Sequence, residues 1–201
     1  MDVLRSAETL QGERSYGIQV YPSNAALPEH LRGQILALIR IGFHDTAGDY
    51  RGPEALPEEW HPRHVVGSEG DVILSYAGVV WQEIRHASEA FKTYGLSSVY
   101  TFPHYRGAGL GSRVVRRATN EIERAGDGDV ALLFTTPQRA PFYERCGWVA
   151  MPGMRCLTGD PAQPVAHQDF AMMRFLSARG RRQRAAFERA PVYVGRYYVV
   201  A

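Results

Sequence analysis

At 201 residues, with 45% apolar and 22% charged side chains, the chain has the size and composition of one soluble globular domain with its own core. A net charge of +2 gives no global field for nucleic acid, so nucleic acid is not an expected partner. Two cysteines, Cys146 and Cys156, make neither a disulfide framework nor a metal cluster, and no metal is expected.

No apolar run reaches the length of a membrane span, and Met1-Asp2-Val3-Leu4-Arg5 lacks the apolar stretch of a signal peptide. The expected location is therefore cytoplasmic, with no membrane partner and both thiols reduced. Residues 1–13 are polar and read as a frayed end or an added strand. Tyr16 to Tyr21 alternates as a first strand, and Pro28 opens a helix whose apolar stripe is Leu31, Ile35, Leu38 and Ile39. Residues 43–64 have no period. This long loop carries Asp45, Asp49, Tyr50, Glu58, Glu59 and Trp60, and loops of that length are more often functional than idle.

Arg63 to Val66 reads as a strand closed by a turn at Gly67-Ser68-Glu69-Gly70. Val72 to Trp81 follows as a long strand bulged at Gly78, and Gln82 to Ala87 continues it, carrying Glu83 and His86. Phe91 to Gly95 leads into a strand from Ser97 to Thr101, ended by Pro103. Glycines then alternate at 107, 109 and 111, and a helical stripe begins with Leu110, Val114, Ala118 and Ile122. Val130 to Phe134 is a further strand. Phe142 to Gly147 reads as a short helix capped by glycine. A strand to Thr158, a loop from Gly159 to Pro164 and a returning strand from Asp169 to Leu176 complete a mixed α/β sheet. Residues 1–176 thus form the domain and 177–201 an extension. That extension comprises a basic helix with Arg179, Arg181, Arg182, Arg184 and Arg189, then an aromatic strand with Tyr193, Tyr197, Tyr198 and Val200. Such a basic face is solvated or meets an acidic partner; the extension is expected to pack on the domain or, since its strand suits sheet addition, to join a homodimer.

The stretch from Ser97 to Ser112 organises the chain. A strand, a glycine turn and a helix N-terminus bring unpaired N–H groups and the positive end of a helix dipole together, which makes a phosphate site. A Walker loop would need Gly-Lys-Ser/Thr, which is missing, and a dinucleotide fingerprint would need glycine where Ser112 stands. Arg106-Gly107-Ala108-Gly109-Leu110-Gly111 instead resembles the acetyl-CoA pyrophosphate loop of the GNAT superfamily of N-acetyltransferases. Phe142-Tyr143-Glu144-Arg145-Cys146-Gly147-Trp148 resembles that superfamily's later tyrosine motif, in matching order and separation.

The resemblance implies a mixed, mostly antiparallel central sheet, splayed at the acetyl-CoA strand and flanked by helices. It implies acetyl-CoA as co-substrate, with Val99, Tyr100 and Thr101 along the acetyl-pantetheine arm. Arg106, Gly107, Ala108, Gly109, Leu110, Gly111 and Ser112 would hold the pyrophosphate. Tyr143 matches the tyrosine that protonates the leaving thiolate. The base is open, with Glu83 and His104 as candidates and Asp45 or Asp49 behind them. Cys146 has no activating histidine signal and reads as packing.

The layout over residues 16–176 also resembles the aminoglycoside 2′-N-acetyltransferases, through the acidic loop with Trp60, the run Pro103-His104-Tyr105-Arg106-Gly107 and the tyrosine motif. That implies antibiotic acetylation, with Asp45, Asp49, Glu58 and Trp60 lining the acceptor pocket. Ser97 stands near the place where that group often has a glutamate, and the basic tail is not typical of it. Acetylation of another small amine or of a peptide amine, and a non-catalytic binding module on the same fold, are the alternatives.

Overall fold

The computed structural model describes residues 15–43 and 54–195, and within them ten strands form one mixed, mostly antiparallel sheet. β1 (Tyr16–Tyr21), β2 (Arg63–Glu69), β3 (Val72–His86) and β4 (Glu89–Thr101) make an antiparallel meander. Helix α2 (Leu110–Ala125) then crosses over to β5 (Val130–Thr135), which runs parallel to β4. β9 (Phe170–Phe175) lies antiparallel between β5 and the short β6 (Val149–Ala150).

Alternation along the strands divides the core between two faces. Val66, Tyr76 and Val80 face α1 (Glu29–Gly42), whose stripe of Leu31, Ile35, Leu38 and Ile39 is buried as expected. Their neighbours Val65, Ala77 and Val79 face Val114, Ala118 and Ile122 of α2. Residues 177–189 form the expected helix, α4 (Ala178–Arg189), whose Ser177 hydroxyl accepts from the Gly180 amide. Phe187 anchors α4 in a third cluster with Phe91, Phe134 and Val192; burying such a side chain is worth about 1.5–3 kcal/mol.

Three local expectations are corrected. β2 continues to Glu69, so the turn falls later, because Gly67 is there for packing: a Cβ would strike the Tyr16 and Ser75 hydroxyls. The segment from Gly159 to Pro164 is the hairpin of β7 (Cys156–Asp160) and β8 (Gln163–Ala166), and the run before it is broken between β6 and β7. The bulge sits in β4 rather than at Gly78, since Ser98 and Val99 together oppose Ala77. Of the tail, the described strand β10 (Val192–Tyr193) lies in its own chain's sheet, between the far end of β3 and β7. Gln82 Nε2 donates to the Val194 carbonyl at 3.0 Å and secures it. Residues 1–13, Asp45, Asp49, Tyr50, Tyr197, Tyr198 and Val200 lie outside the described residues. No helix among the described residues is long and apolar enough to cross a membrane.

Candidate functional site

The sheet opens where β4 leaves β5. The two strands pair only over Thr93–Gly95 against Val130–Leu132. Both continue, β4 to Thr101 and β5 to Thr135, while β5 stays paired with β9 as far as Thr135 against Phe170. A wedge therefore opens between Leu96–Thr101 and the end of β5, and the β4 backbone has no ladder partner on that side. The bulge sharpens the divergence: Ser98 takes φ of +53°, a left-handed conformation that costs a non-glycine residue about 1–3 kcal/mol.

Behind the wedge the chain turns on Gly107 and Gly109, at φ of +86° and +78°. A Cβ on either would meet nothing within 4 Å, so glycine answers to backbone conformation there and the space beside it is open. Gly109 caps α2 and no side chain bonds the helix start. The first-turn N–H groups of α2 are thus left for an outside acceptor. Gly111 serves another end: a Cβ there would lie 2.9 Å from Thr101 Oγ1, so its absence lets α2 press against the end of β4.

These parts enclose a cavity of about 500 Å³. Val99, Tyr100 and Thr101 line one wall, with Arg106, Gly107, Gly109, Leu110, Gly111 and Ser112 behind them. Phe142 and Tyr143 of α3 (Ala140–Glu144) lie across it, Gly42 and Phe43 close one end, and Arg139 and Arg145 add cations. A Cβ on Gly42 would come within 2.7 Å of the Tyr100 ring, so the end of α1 abuts β4 here. Uncapped N–H groups, open glycines and three arginines suit a ligand carrying several phosphates beside an apolar arm. The residues present fit coenzyme A.

Tyr143 is only 3% exposed, and burial pushes its phenol above the usual tyrosine range, with Arg139 drawing it slightly back. Its helix is fixed from behind. Gly147, at φ of +86°, turns the chain so that the Trp148 amide donates to the Tyr143 carbonyl at 3.1 Å. Trp148 Nε1 then donates to Thr119 Oγ1 of α2 at 3.1 Å. The tyrosine motif is thereby tied to the helix that begins at the glycine turn. Cys146 is buried and its thiol is raised by that burial, which agrees with packing rather than nucleophilic attack.

The structure thus brings together nine of the ten expected cofactor residues and Tyr143; Ala108 belongs to the same turn but does not line the cavity. Glu83 is removed from the candidate bases. It is exposed, pairs across from Lys92, and lies seven residues beyond the Tyr76 that faces Tyr100, a separation of about 23 Å along the strand. His104 is exposed in the turn Pro103–Tyr105, set edge-on to Tyr105 at 5.0 Å between ring centroids, and does not line the cavity. Trp60 is 8% exposed and packs in the α1 cluster, so its ring serves the core and offers no free face to a sugar. Glu58 is exposed, and its carboxylate accepts from Asn24 Nδ2 at 2.8 Å. Phe43 begins the irregular loop read as a pocket wall, and it lines the cavity; Arg139 and Arg145 were missed as site residues, and their position on either side of Tyr143 was the available signal.

A family model described as an acetyltransferase (GNAT) domain matches residues 27–151. No protein of curated function matches the sequence. Among solved structures, Escherichia coli ElaA superposes at a TM-score of 0.58 with 15% identity, over 80% of this chain and 99% of its own. An acyl-CoA N-acyltransferase from Pseudomonas aeruginosa does so at 0.57 with 17% identity, over 80% and 99%. The Escherichia coli GNAT family N-acetyltransferase YhbS, solved in complex with CoA, superposes at 0.52 with 15% identity, over 89% and 88%. These structural likenesses are likenesses of fold. Together with the family match across the wedge, the glycine turn and Tyr143, they complete the assignment: the chain belongs to the GNAT acetyltransferases, and it is an acetyl-CoA-dependent N-acetyltransferase.

Proposed function

We propose that the protein acetylates a primary amine of a small molecule by direct transfer, with Tyr143 as the general acid. The observation that carries this reading is the single cavity shared by the unpaired β4 segment, the glycine turn and the buried Tyr143. When bound, acetyl-CoA supplies an activated acetyl group as its thioester. The backbone N–H groups of β4 beyond Gly95 have no ladder partner on the β5 side and are the donors available to a developing oxyanion. Tyr143, kept protonated by burial, offers its proton as thiolate charge forms. Among the described lining residues there is no carboxylate or imidazole, and of the expected bases Asp45 and Asp49, which lie outside the described residues, remain the candidates to take the amine proton, directly or through water.

The narrower reading is an aminoglycoside as acceptor, its 2′-amino group being the site the resemblance suggests. What supports it is that Phe43 lines the cavity and the chain carries Asp45 two residues later and Asp49 four beyond that. Carboxylates there would pair with a polycationic sugar. The burial of Trp60 takes away the stacking surface that this reading also used. Incubation with acetyl-CoA and a panel of aminoglycosides, simple amines and peptides, read by product mass, separates the cases. Acetylation of an aminoglycoside supports the narrower reading. Modification of simple amines alone leaves only the general one, modification of peptides alone would replace both with a peptide acceptor, and no turnover on any amine, with coenzyme A still bound, would refute both in favour of a binding module.

A further inference from the structure

A second cavity, of about 600 Å³, lies at the opposite end of α2 from the glycine turn. Ile122 and Gly111 are eleven residues apart on that helix, so the two cavities are separated by about 16 Å along its axis. Ile122, Val149, Phe175 and Leu176 give the second cavity an apolar floor, and Arg174, Arg181 and Arg184 give it a cationic rim. Its volume falls within the range of small-molecule sites, about 300–1,000 Å³.

The arginines of this region divide by what they do. Arg179 holds α4 to the sheet through Glu89 and Asp129. Arg174 is matched by Glu123, the one acid among the lining residues, and donates also to the Gly147 carbonyl. Arg181 and Arg184, three apart on α4, have no ion pair with any described carboxylate. Yet both are held at the cavity. Arg181 Nη1 donates to the Leu176 carbonyl at 2.9 Å, and the Arg184 guanidinium lies 5.7 Å from the Phe175 ring centroid. Both side chains are exposed, and each guanidinium keeps further N–H donors for a ligand. With three arginines against one glutamate, the lining has a net charge of about +2, and planar guanidinium groups favour carboxylate-like anions.

We propose that this cavity is a binding site for a small organic acid, an anion with an apolar body, distinct from the acetyl-CoA site. The apolar part rests on the floor and the anionic group meets Arg181 and Arg184. The test uses the full chain saturated with coenzyme A and titrated with 8-anilinonaphthalene-1-sulfonate, an aromatic sulfonate, followed by its fluorescence. Binding should persist with coenzyme A present and weaken about tenfold in the R181E/R184E variant. The neutral analogue N-phenyl-1-naphthylamine should bind more weakly than the sulfonate. Full displacement of the probe by coenzyme A, unchanged binding in the variant, or equal binding of the neutral analogue would each overturn the proposal. Should the double variant fail to fold, R184Q carries the same test, with about threefold weaker binding expected and unchanged binding overturning the site.

Discussion

His64 makes the stability of this fold depend on pH in a way that can be worked from its surroundings. Asn24 spends both amide hydrogens, one on the Leu56 carbonyl and one on Glu58, each at 2.8 Å. Its carbonyl must therefore accept, so His64 Nε2 donates to it at 3.1 Å and His64 Nδ1 accepts from the Tyr76 hydroxyl at 2.9 Å. The ring is fully buried and neutral. Burial, and then the charge of Arg32, push it from 6.5 down to about 4. A depressed pKa in the folded state means stability present above pH 6.5 and lost as pH falls toward 4, because the unfolded chain takes the proton first. At about 1.4 kcal/mol per unit over some 2.5 units, the loss is about 3 kcal/mol. Urea unfolding from pH 7 to pH 4 measures it. His167, also lowered by burial, adds to the slope in the same direction. The comparison is therefore with His64→Gln, which should be less stable at pH 7 but lose about 3 kcal/mol less on acidification. Equal slopes in the two proteins would refute the assignment of His64 as a buried neutral ring.

Tyr143→Phe should lower turnover by about 10²–10⁴-fold. Its hydroxyl makes no hydrogen bond to a described residue, so the melting temperature and coenzyme A affinity should hold; wild-type turnover with chemistry rate-limiting would dismiss the acid role. Gly109→Val places a side chain at φ of +78° and into the open space of the turn. It should destabilise by about 1–2 kcal/mol and abolish coenzyme A binding by calorimetry, and unchanged affinity would move the phosphate site elsewhere. Arg139→Ala should raise the Michaelis constant for acetyl-CoA several-fold, more so at low salt, with little change in the melting temperature because the residue is exposed. A salt-independent constant would detach this arginine from the phosphates.

The cofactor half of the site was legible because it is local. The glycine turn, a strand ended by proline and a four-residue helical stripe each act within a few residues and stand in the structure where their residues predicted them, while the tyrosine helix begins two residues early, at Ala140, and ends at Glu144, with Gly147 making the turn that follows. What fell outside that reach depended on pairing between distant segments. Glu83 and Tyr76 share one strand, yet only the register with β4 shows that Glu83 lies at the wrong end for the chemistry. The tail carried a pattern that any sheet edge could satisfy, and for Val192–Tyr193 only the tertiary structure shows that the far end of β3 takes it. Trp60 read as a binding surface because its loop is acidic, but apolar area seeks burial wherever the tertiary structure provides a partner, and α1 provided one. Arg179 and Arg184 are the same residue type on one helix. Their separate roles arise only from what the folded chain sets beneath them, Glu89 and Asp129 under one and the Phe175 ring under the other.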